Sequence, residues 1–479
     1  PTPAVVAPTP AVVAPAPRAA ALPSSAPSLA SGPASSSGFE QRFCARYGLR
    51  RAYAAGGGMH EGVASTALVR RMAGAGLLGL LGAHGLDEVQ LGAMLDELHG
   101  ELAPGSFGVS LVHELSDARE RARVATCLHR GVRVLDVSGF TSMTPALVWY
   151  RAKGLARHGA GIEIRHRILA RVSRPETAAS FLSPAPAYLV EELLAQGVIT
   201  DDEAHCLARV PMADDLCAQA DGGGGTERGV LGAILPALVA MRDEFAAVHR
   251  YPEHVGLGAA GGLGCPQAVA AARLLGAEFI VTGSINQCSV EAATSEIVKD
   301  MLETVDIHHT DYAPAAAAFE LGGQVQVLKR GVFFPARANR LYRLYLQHDA
   351  LGELDQRTAG EIQDNYLRAS FEQSIDYARM RHADELSVGE ALTPKRQMAL
   401  VFRTYLERSA RNAIEGNVYD KVNFQVPCSA AMGAINRWVR NTSLERWRDR
   451  HVDELGLRLL DEADAHLRRG WGARGSRTS

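Results

Sequence analysis

From Phe39 onward, short apolar runs alternate with amphipathic stretches, the pattern of repeated β/α units whose parallel strands are buried on both faces. Eight runs read as strands: Arg51–Ala55, Leu77–Leu81, Phe107–Val112, Val132–Val137, Ile164–Val172, Leu216–Ala220, Val255–Ala259 and Phe279–Val281. Between them a 3.6-residue apolar spacing predicts helices such as Ala64–Ala73, Asp87–Leu102, Ser116–Arg130 and Leu231–Val248. Eight units is the number that closes a parallel barrel, so the expected fold class is α/β, a (β/α)₈ TIM barrel. The fifth connection is too long for one helix, and residues 176–215 are expected to form a helical insertion. After Asn286 the pattern becomes largely helical. The expected division is a barrel over 39–330 and a C-terminal α-helical region over 331–479, with an irregular tail after Gly470.

Composition narrows the classes. The chain has 479 residues, 47% of them hydrophobic and 22% charged, enough for one large core and a smaller satellite. A net charge of −3 gives no nucleic-acid footprint, and no apolar run reaches membrane-spanning length. Seven cysteines scattered without a CxxC pair fit free thiols in a reducing compartment, so a cytoplasmic location is expected. Residues 1–38 differ in kind: Pro, Ala, Ser and Val dominate, and PTPAVVAP occurs twice. Such a segment cannot build a core and is expected to be an extended, disordered linker behind a further domain.

The chemistry concentrates at His254–Asn286, which reads as strand, glycine turn, helix, strand and a second glycine turn. Pro266 stands where a helix can begin. Two strand ends with bare backbone N–H groups, at Gly261-Gly262 and Gly283-Ser284, make a phosphate cradle where the last two strands of a barrel deliver their loops. Gly256, Gly258 and Gly261 also match G-x-G-x-x-G. The acidic residue that a dinucleotide fold places after the next strand is absent there, since Glu278 precedes the strand. Elsewhere along the catalytic face, Gly56-Gly57-Gly58-Met59-His60 follows strand one, and consecutive glycines let a planar ring approach the backbone. Ser110 and His113 follow strand three, Ser138, Thr141 and Thr144 follow strand four, and Thr144 before Pro145 is equally a helix cap. Strand five carries Arg165, His166, Arg167 and Arg171, of which one cation near a flavin or phosphate is expected. Strand six ends in Asp221 and Gly222 to Gly225, with Asp214-Asp215 upstream as either an acid/base pair or a solvated pair. His308, His309 and Asp311 lack a third ligand at suitable spacing, so no metal is expected.

These motifs resemble a known family. GGGMHEGVAS, TPALVWYRAKGL, RILARVSRPE, VPMADDLCAQAD, GAEFIVTGSINQCSVEAATSEIVKDML and VQVLKRGVFFPARANRLYRLY are similar to PfaD-type enoyl reductases of polyunsaturated fatty-acid and trans-acyltransferase polyketide synthases. FabK-type reductases and nitronate monooxygenases are more distantly similar. The resemblance implies FMN in the barrel, NADPH or NADH as reductant, and an enoyl thioester on an acyl carrier protein as substrate. It implies that Gly57, Gly58 and Met59 lie against the ring and that Gly261, Gly262, Gly283 and Ser284 hold the phosphate, and the reading of the barrel face adds Ser110, Arg171, Asp221, Gly224 and Gly225 to the cofactor site. Fusion behind an acyltransferase is also implied. Two positions depart from the family: Gly225 stands where relatives carry His, and Ser110 where they tend to carry Asn. His60, His113 and His166 are then the candidate acids. The alternatives are a degenerate barrel serving as a docking or structural module, and a nitronate-type flavin oxidase.

Overall fold

The computed structural model describes residues 38–114, 116–159, 161–383 and 392–475. The expected linker thus falls outside the described residues, except for Gly38. The eight strands form as read, each within a few residues: β1 Tyr53–Ala55, β2 Leu78–Gly82, β3 Phe107–Val112, β4 Val134–Ser138, β5 Arg167–Val172, β6 Asp215–Gln219, β7 Gly256–Ala260 and β8 Phe279–Thr282. All neighbours pair in parallel, and β1 closes on β8 with Tyr53 opposite Ile280 and Ala55 opposite Thr282. Strand burial is nearly continuous because the outer face meets helices and the inner face meets the other strands.

The N-terminal end of the barrel is plugged by the helix Gly38–Tyr47. Phe43 stacks on Phe279 with ring centroids 4.1 Å apart, and both join Ala54, Leu80, Leu169 and Val281 in the barrel interior. Arg46 and Tyr47 of this helix hold Asp215, at 2.5 Å and 2.6 Å. Asp214 beside it takes Arg151 at 2.7 Å, Arg167 at 2.8 Å and the Ile168 N–H at 2.9 Å. The acid/base and solvated readings of this pair therefore both give way to a buried ion-pair plug. Burial pushes the Asp214 carboxyl up, but Arg151, Arg167 and Arg46 outweigh it and hold it below the ordinary range. At Asp215 burial wins and its carboxyl is raised.

Helices Pro175–Leu182, Ala187–Ala195 and Asp201–Leu207 occupy the long fifth connection. Ahead of β5 lies a small hairpin, Ala156–His158 with Gly161–Glu163, that the sequence pattern did not show. Beyond the barrel, strands Thr310–Pro314 and Gln324–Leu328 pair with Gly225–Thr226, so the glycine run after β6 becomes the edge of a second sheet. Residues from Ala313 to Leu406 share a separate core around Phe319, Phe334, Phe402 and Tyr405. Residues Ala413 to Ala463 return to the main barrel core, and the last helix, Val452–Gly475, packs on Pro266–Leu274. The helical backbone thus continues through the tail expected to be irregular after Gly470, as far as Gly475.

Candidate functional site at the barrel mouth

The loops after β1 and β8 touch backbone to backbone. The Gly56 N–H donates to Thr282 O at 3.1 Å, with Gly56 at φ +104. A Cβ on Gly283 would stand 2.5 Å from Gly57 O, and one on Gly57 would stand 3.0 Å from the Val281 side chain. Beneath this glycine floor lies a polar cluster inside the barrel. Arg171 donates to Asp136 at 2.9 Å, to Ser138 at 3.1 Å and to Ser110 at 3.3 Å. Ser110 donates to Asp136 at 2.7 Å and accepts the Gly58 N–H at 3.4 Å. A Cβ on Gly58 would stand 3.2 Å from Arg171 Nη1, so the guanidinium lies directly against the loop. Asp136 is fully buried, and its charge is satisfied by Arg171 and Ser110.

The cradle follows on the adjoining strands. Gly261, at φ +88, packs so closely on the Ala220 carbonyl that no side chain fits, whereas Gly262 faces open space. Ser284 opens the short helix Ser284–Cys288, and Ser429 stands at the start of the helix Ala430–Trp438. Their hydroxyls are 3.4 Å apart, so two helix starts meet next to Gly283, with Gly223 packed on Ser284 and Gly264 on Ala431. At the end of β6 the Gln219 side chain donates to Ala220 O at 3.1 Å, while its Oε1 is buried without a partner among the described residues. Helix starts, a floor of glycines without side chains and one orphaned amide oxygen fit a phosphate-bearing planar cofactor.

Over the mouth, Asp221 accepts from Thr226 at 2.6 Å and from the Tyr312 hydroxyl. The Arg228 guanidinium lies 3.9 Å over the Tyr312 ring. Burial first, and then the Asp221 bond, push the Tyr312 phenol up to about 12, so it stays protonated. Gly225 pairs with Val325, and a Cβ placed on it meets nothing within 4 Å.

The candidate acids separate. His60 follows β1 at the mouth and meets His84, which follows β2, with ring centroids 5.0 Å apart. Burial holds His60 well below the ordinary histidine range, and His84 and Arg171 add to this. Burial, with Arg123 nearby, lowers His84 to about 4. His113 follows β3 but is bound by Glu120 at 2.9 Å and packs on Phe140. Glu120 also accepts from Thr144 at 2.5 Å, while Thr144 caps the helix Pro145–Ala152, the plainer of its two readings. His166 requires a correction. It precedes β5, hydrogen-bonds Lys153 O and lies at the opposite end of the barrel from the mouth, because β5 begins only at Arg167. Arg165 and Arg167 share that end, so of the strand-five cations only Arg171 reaches the mouth. His309 accepts the Asp306 N–H at 2.9 Å in a local turn. Among the described residues no group of three His, Cys, Asp or Glu could hold a metal ion. Sequence reasoning missed Asp136, His84, Tyr312 and Ser429. Only Asp136 left a signal, a lone carboxylate inside the apolar run VRVLDVSG.

The two mouth histidines make stability acid-sensitive. Both are depressed below the unfolded value near 6.5, so the unfolded chain takes up protons that the folded chain refuses. Their stabilisation is present above about pH 6.5 and is lost as pH falls toward about 4. The thermal midpoint is expected to drop across that window, and His84→Gln to flatten the slope. An unchanged slope in the variant would count against the burial argument.

Residues 348–424 match the family described as acyl-carrier-protein S-malonyltransferase, inserted helical domain. The chain is 44% identical over 420 residues to the polyketide biosynthesis protein PksE of Bacillus subtilis, covering 87% of this chain and 54% of PksE. It is 45% identical over 425 residues to the polyketide biosynthesis protein ThaF of Burkholderia thailandensis, covering 88% of this chain and 36% of ThaF. It therefore spans about half, or less, of the curated relatives it matches. Among solved structures, the enoyl reductase domain of MlnA from the macrolactin biosynthesis cluster of Bacillus amyloliquefaciens superposes with a TM-score of 0.86 at 39% identity, over 90% of this chain and 98% of that one. The barrel is thus that of an enoyl reductase domain, and the chain belongs to the PfaD-type enoyl reductases of polyketide and polyunsaturated fatty-acid synthases.

Proposed function

We propose that the chain is an FMN-dependent reductase that uses NADPH or NADH to saturate the α,β double bond of an enoyl thioester on an acyl carrier protein. The observation that carries this reading is the mouth itself: a glycine floor over a buried arginine, next to a cradle made of two helix N-termini. FMN held there would supply the hydride-transfer chemistry that links a reduced nicotinamide to the β-carbon of the enoyl thioester. Gly57, Gly58 and Met59 would lie against the ring, and Gly261, Gly262, Gly283 and Ser284 would hold the phosphate. Asp221, Gly224 and Gly225 would line the substrate side. Arg171 places a fixed positive charge under the floor, where it favours negative charge developing on a bound ring, and Asp136 and Ser110 keep it oriented. The matched acyltransferase insertion and the polyketide relatives support a carrier-bound substrate and an upstream acyltransferase in the full protein.

Protonation of the α-carbon falls to groups other than residue 225. Tyr312, which stays protonated, brings a proton to the mouth, while His60, held uncharged by burial, is the weaker donor. The degenerate-barrel alternative rests on Gly225. The test is mass spectrometry of a crotonyl-loaded acyl carrier protein incubated with the protein, FMN and NADPH. A gain of two hydrogens that requires every component is expected, and no gain from flavin-loaded protein would favour the degenerate barrel. Because a side chain at 225 meets no obstacle, Gly225→His is expected to raise kcat by about a hundredfold, the low end of general acid assistance. An unchanged or lower kcat would show that proton delivery does not limit turnover.

A further inference from the structure

An exposed apolar cluster lies where the second core meets the route back to the mouth. Tyr419 is 88% exposed, Phe333 60%, Val418 56% and Val422 40%. Phe333 and Val422 are bound together, the Phe333 N–H donating to Val422 O at 2.6 Å. These are large side chains left in water side by side, which marks an interaction surface more than scattered exposure does. Its rim is cationic. Lys329 and Arg330 sit on the turn before Phe333, Arg337 lies 5.6 Å over the Phe333 ring, and Lys421 lies between Tyr419 and Val422. Arg368 reaches Tyr419 O at 3.5 Å and pairs with Asp420 at 2.9 Å. Asp420 is itself buried, so it offers no exposed negative charge to this face. Asp364 and Glu415 are the exposed carboxylates nearest in sequence, outside the cluster.

Three further observations fix the occupant. Residues 418–422 close the segment that matches the inserted helical domain of an acyl-carrier-protein malonyltransferase. That module recurs in an enzyme of different chemistry, and what a malonyltransferase and an enoyl reductase have in common is the carrier. Carrier proteins present an acidic helix, the charge that this cationic rim complements. Finally, the chain runs from Val422 to Ser429 in seven steps, which places the surface within about 25 Å of the cradle. We propose that the face built from Phe333, Val418, Tyr419 and Val422 and its cationic rim docks the acidic acyl carrier protein, which delivers its tethered acyl arm to the barrel mouth. This deepens the reading above and rests on its carrier-bound substrate.

The test compares this chain with a Lys329→Glu, Tyr419→Glu, Lys421→Glu variant, whose altered side chains make no ion pair among the described residues. Fluorescence anisotropy reads the binding of a labelled crotonyl-loaded acyl carrier protein, and reduction of crotonyl-pantetheine reads the chemistry without a carrier. Carrier binding is expected to weaken at least tenfold in the variant, with crotonyl-pantetheine reduction unchanged. Equal binding by both proteins, or no binding by the unaltered chain, overturns the proposal. A binding difference in proteins that reduce neither thioester would sink the reductase reading and leave the surface standing.

Discussion

Gly283→Ala is expected to give a folded protein that no longer retains flavin, with enoyl reduction falling at least about a hundredfold. The added methyl would stand 2.5 Å from Gly57 O, a contact that backbone cannot tolerate. Gly283 has φ −126, outside the left-handed region, so the effect falls chiefly on the approach of two loops. Relief requires the β1 loop to move away from β8, which breaks the Gly56–Thr282 hydrogen bond and lifts Gly57-Gly58 off Arg171. A shift of about 1 Å in a positioning element can cost two orders of magnitude in rate. The readouts are the visible flavin absorbance of the purified protein and its turnover of crotonyl-loaded carrier protein. Gly232→Ala, on an exposed helical glycine with nothing within 4 Å, is the control and should leave both unchanged. Full flavin content in Gly283→Ala would refute the contact as part of the cofactor site.

The contrast between these glycines shows what sequence could and could not reveal. The eight strands were legible because each is an apolar run bounded by turn residues, and β3 matched at both ends. Gly57, Gly261 and Gly283 were legible as a group because strand-end glycines in consecutive β/α units must come together at one mouth. The helices joining the cradle were only half visible. Ser284 lies on the strand-end loop, but Ser429 arrives from 145 residues away, and nothing local marks its destination. Tyr312 escaped for the same reason, because it meets Asp221, itself read as a site residue, from 91 residues away. His84 was passed over because it follows β2 as an ordinary turn residue, although the closing of β1 on β2 brings it to His60. The strand-five basic run was misread by periodicity. RHRILARV looks like one strand, yet His166 and Arg167 serve the plug at one end, through Arg151 and Asp214, and Arg171 serves the mouth at the other.

That division of labour along one strand leads to the largest expected loss of stability, which lies at the end of the barrel remote from chemistry. Arg151→Met is expected to destabilise the fold by about 3–5 kcal/mol, the usual cost of leaving one partner of a buried ion pair alone. The Arg151 side chain is fully buried and donates to Pro211 O at 2.9 Å, His166 O at 3.1 Å and Asp214 at 2.7 Å. Methionine fills similar space but supplies none of these donors, so two backbone carbonyls and part of a carboxylate lose their partners together. Arg167 stays on Asp214 and tempers the loss, which is why the cost is not larger. A few kcal/mol is a large share of the stability of a natural domain, so the thermal midpoint should fall clearly and soluble yield with it. Flavin bound per folded molecule should not change, because the Arg171–Asp136–Ser110 cluster below the mouth shares no hydrogen bond with the plug. Asp214→Asn separates charge from geometry: the amide still accepts from Arg151 but leaves two arginines short of an anion, so it should fall between the parent and Arg151→Met. An Arg151→Met protein with unaltered melting but depleted flavin would reverse the assignment of the two ends, making the plug part of the site and the mouth cluster the scaffold.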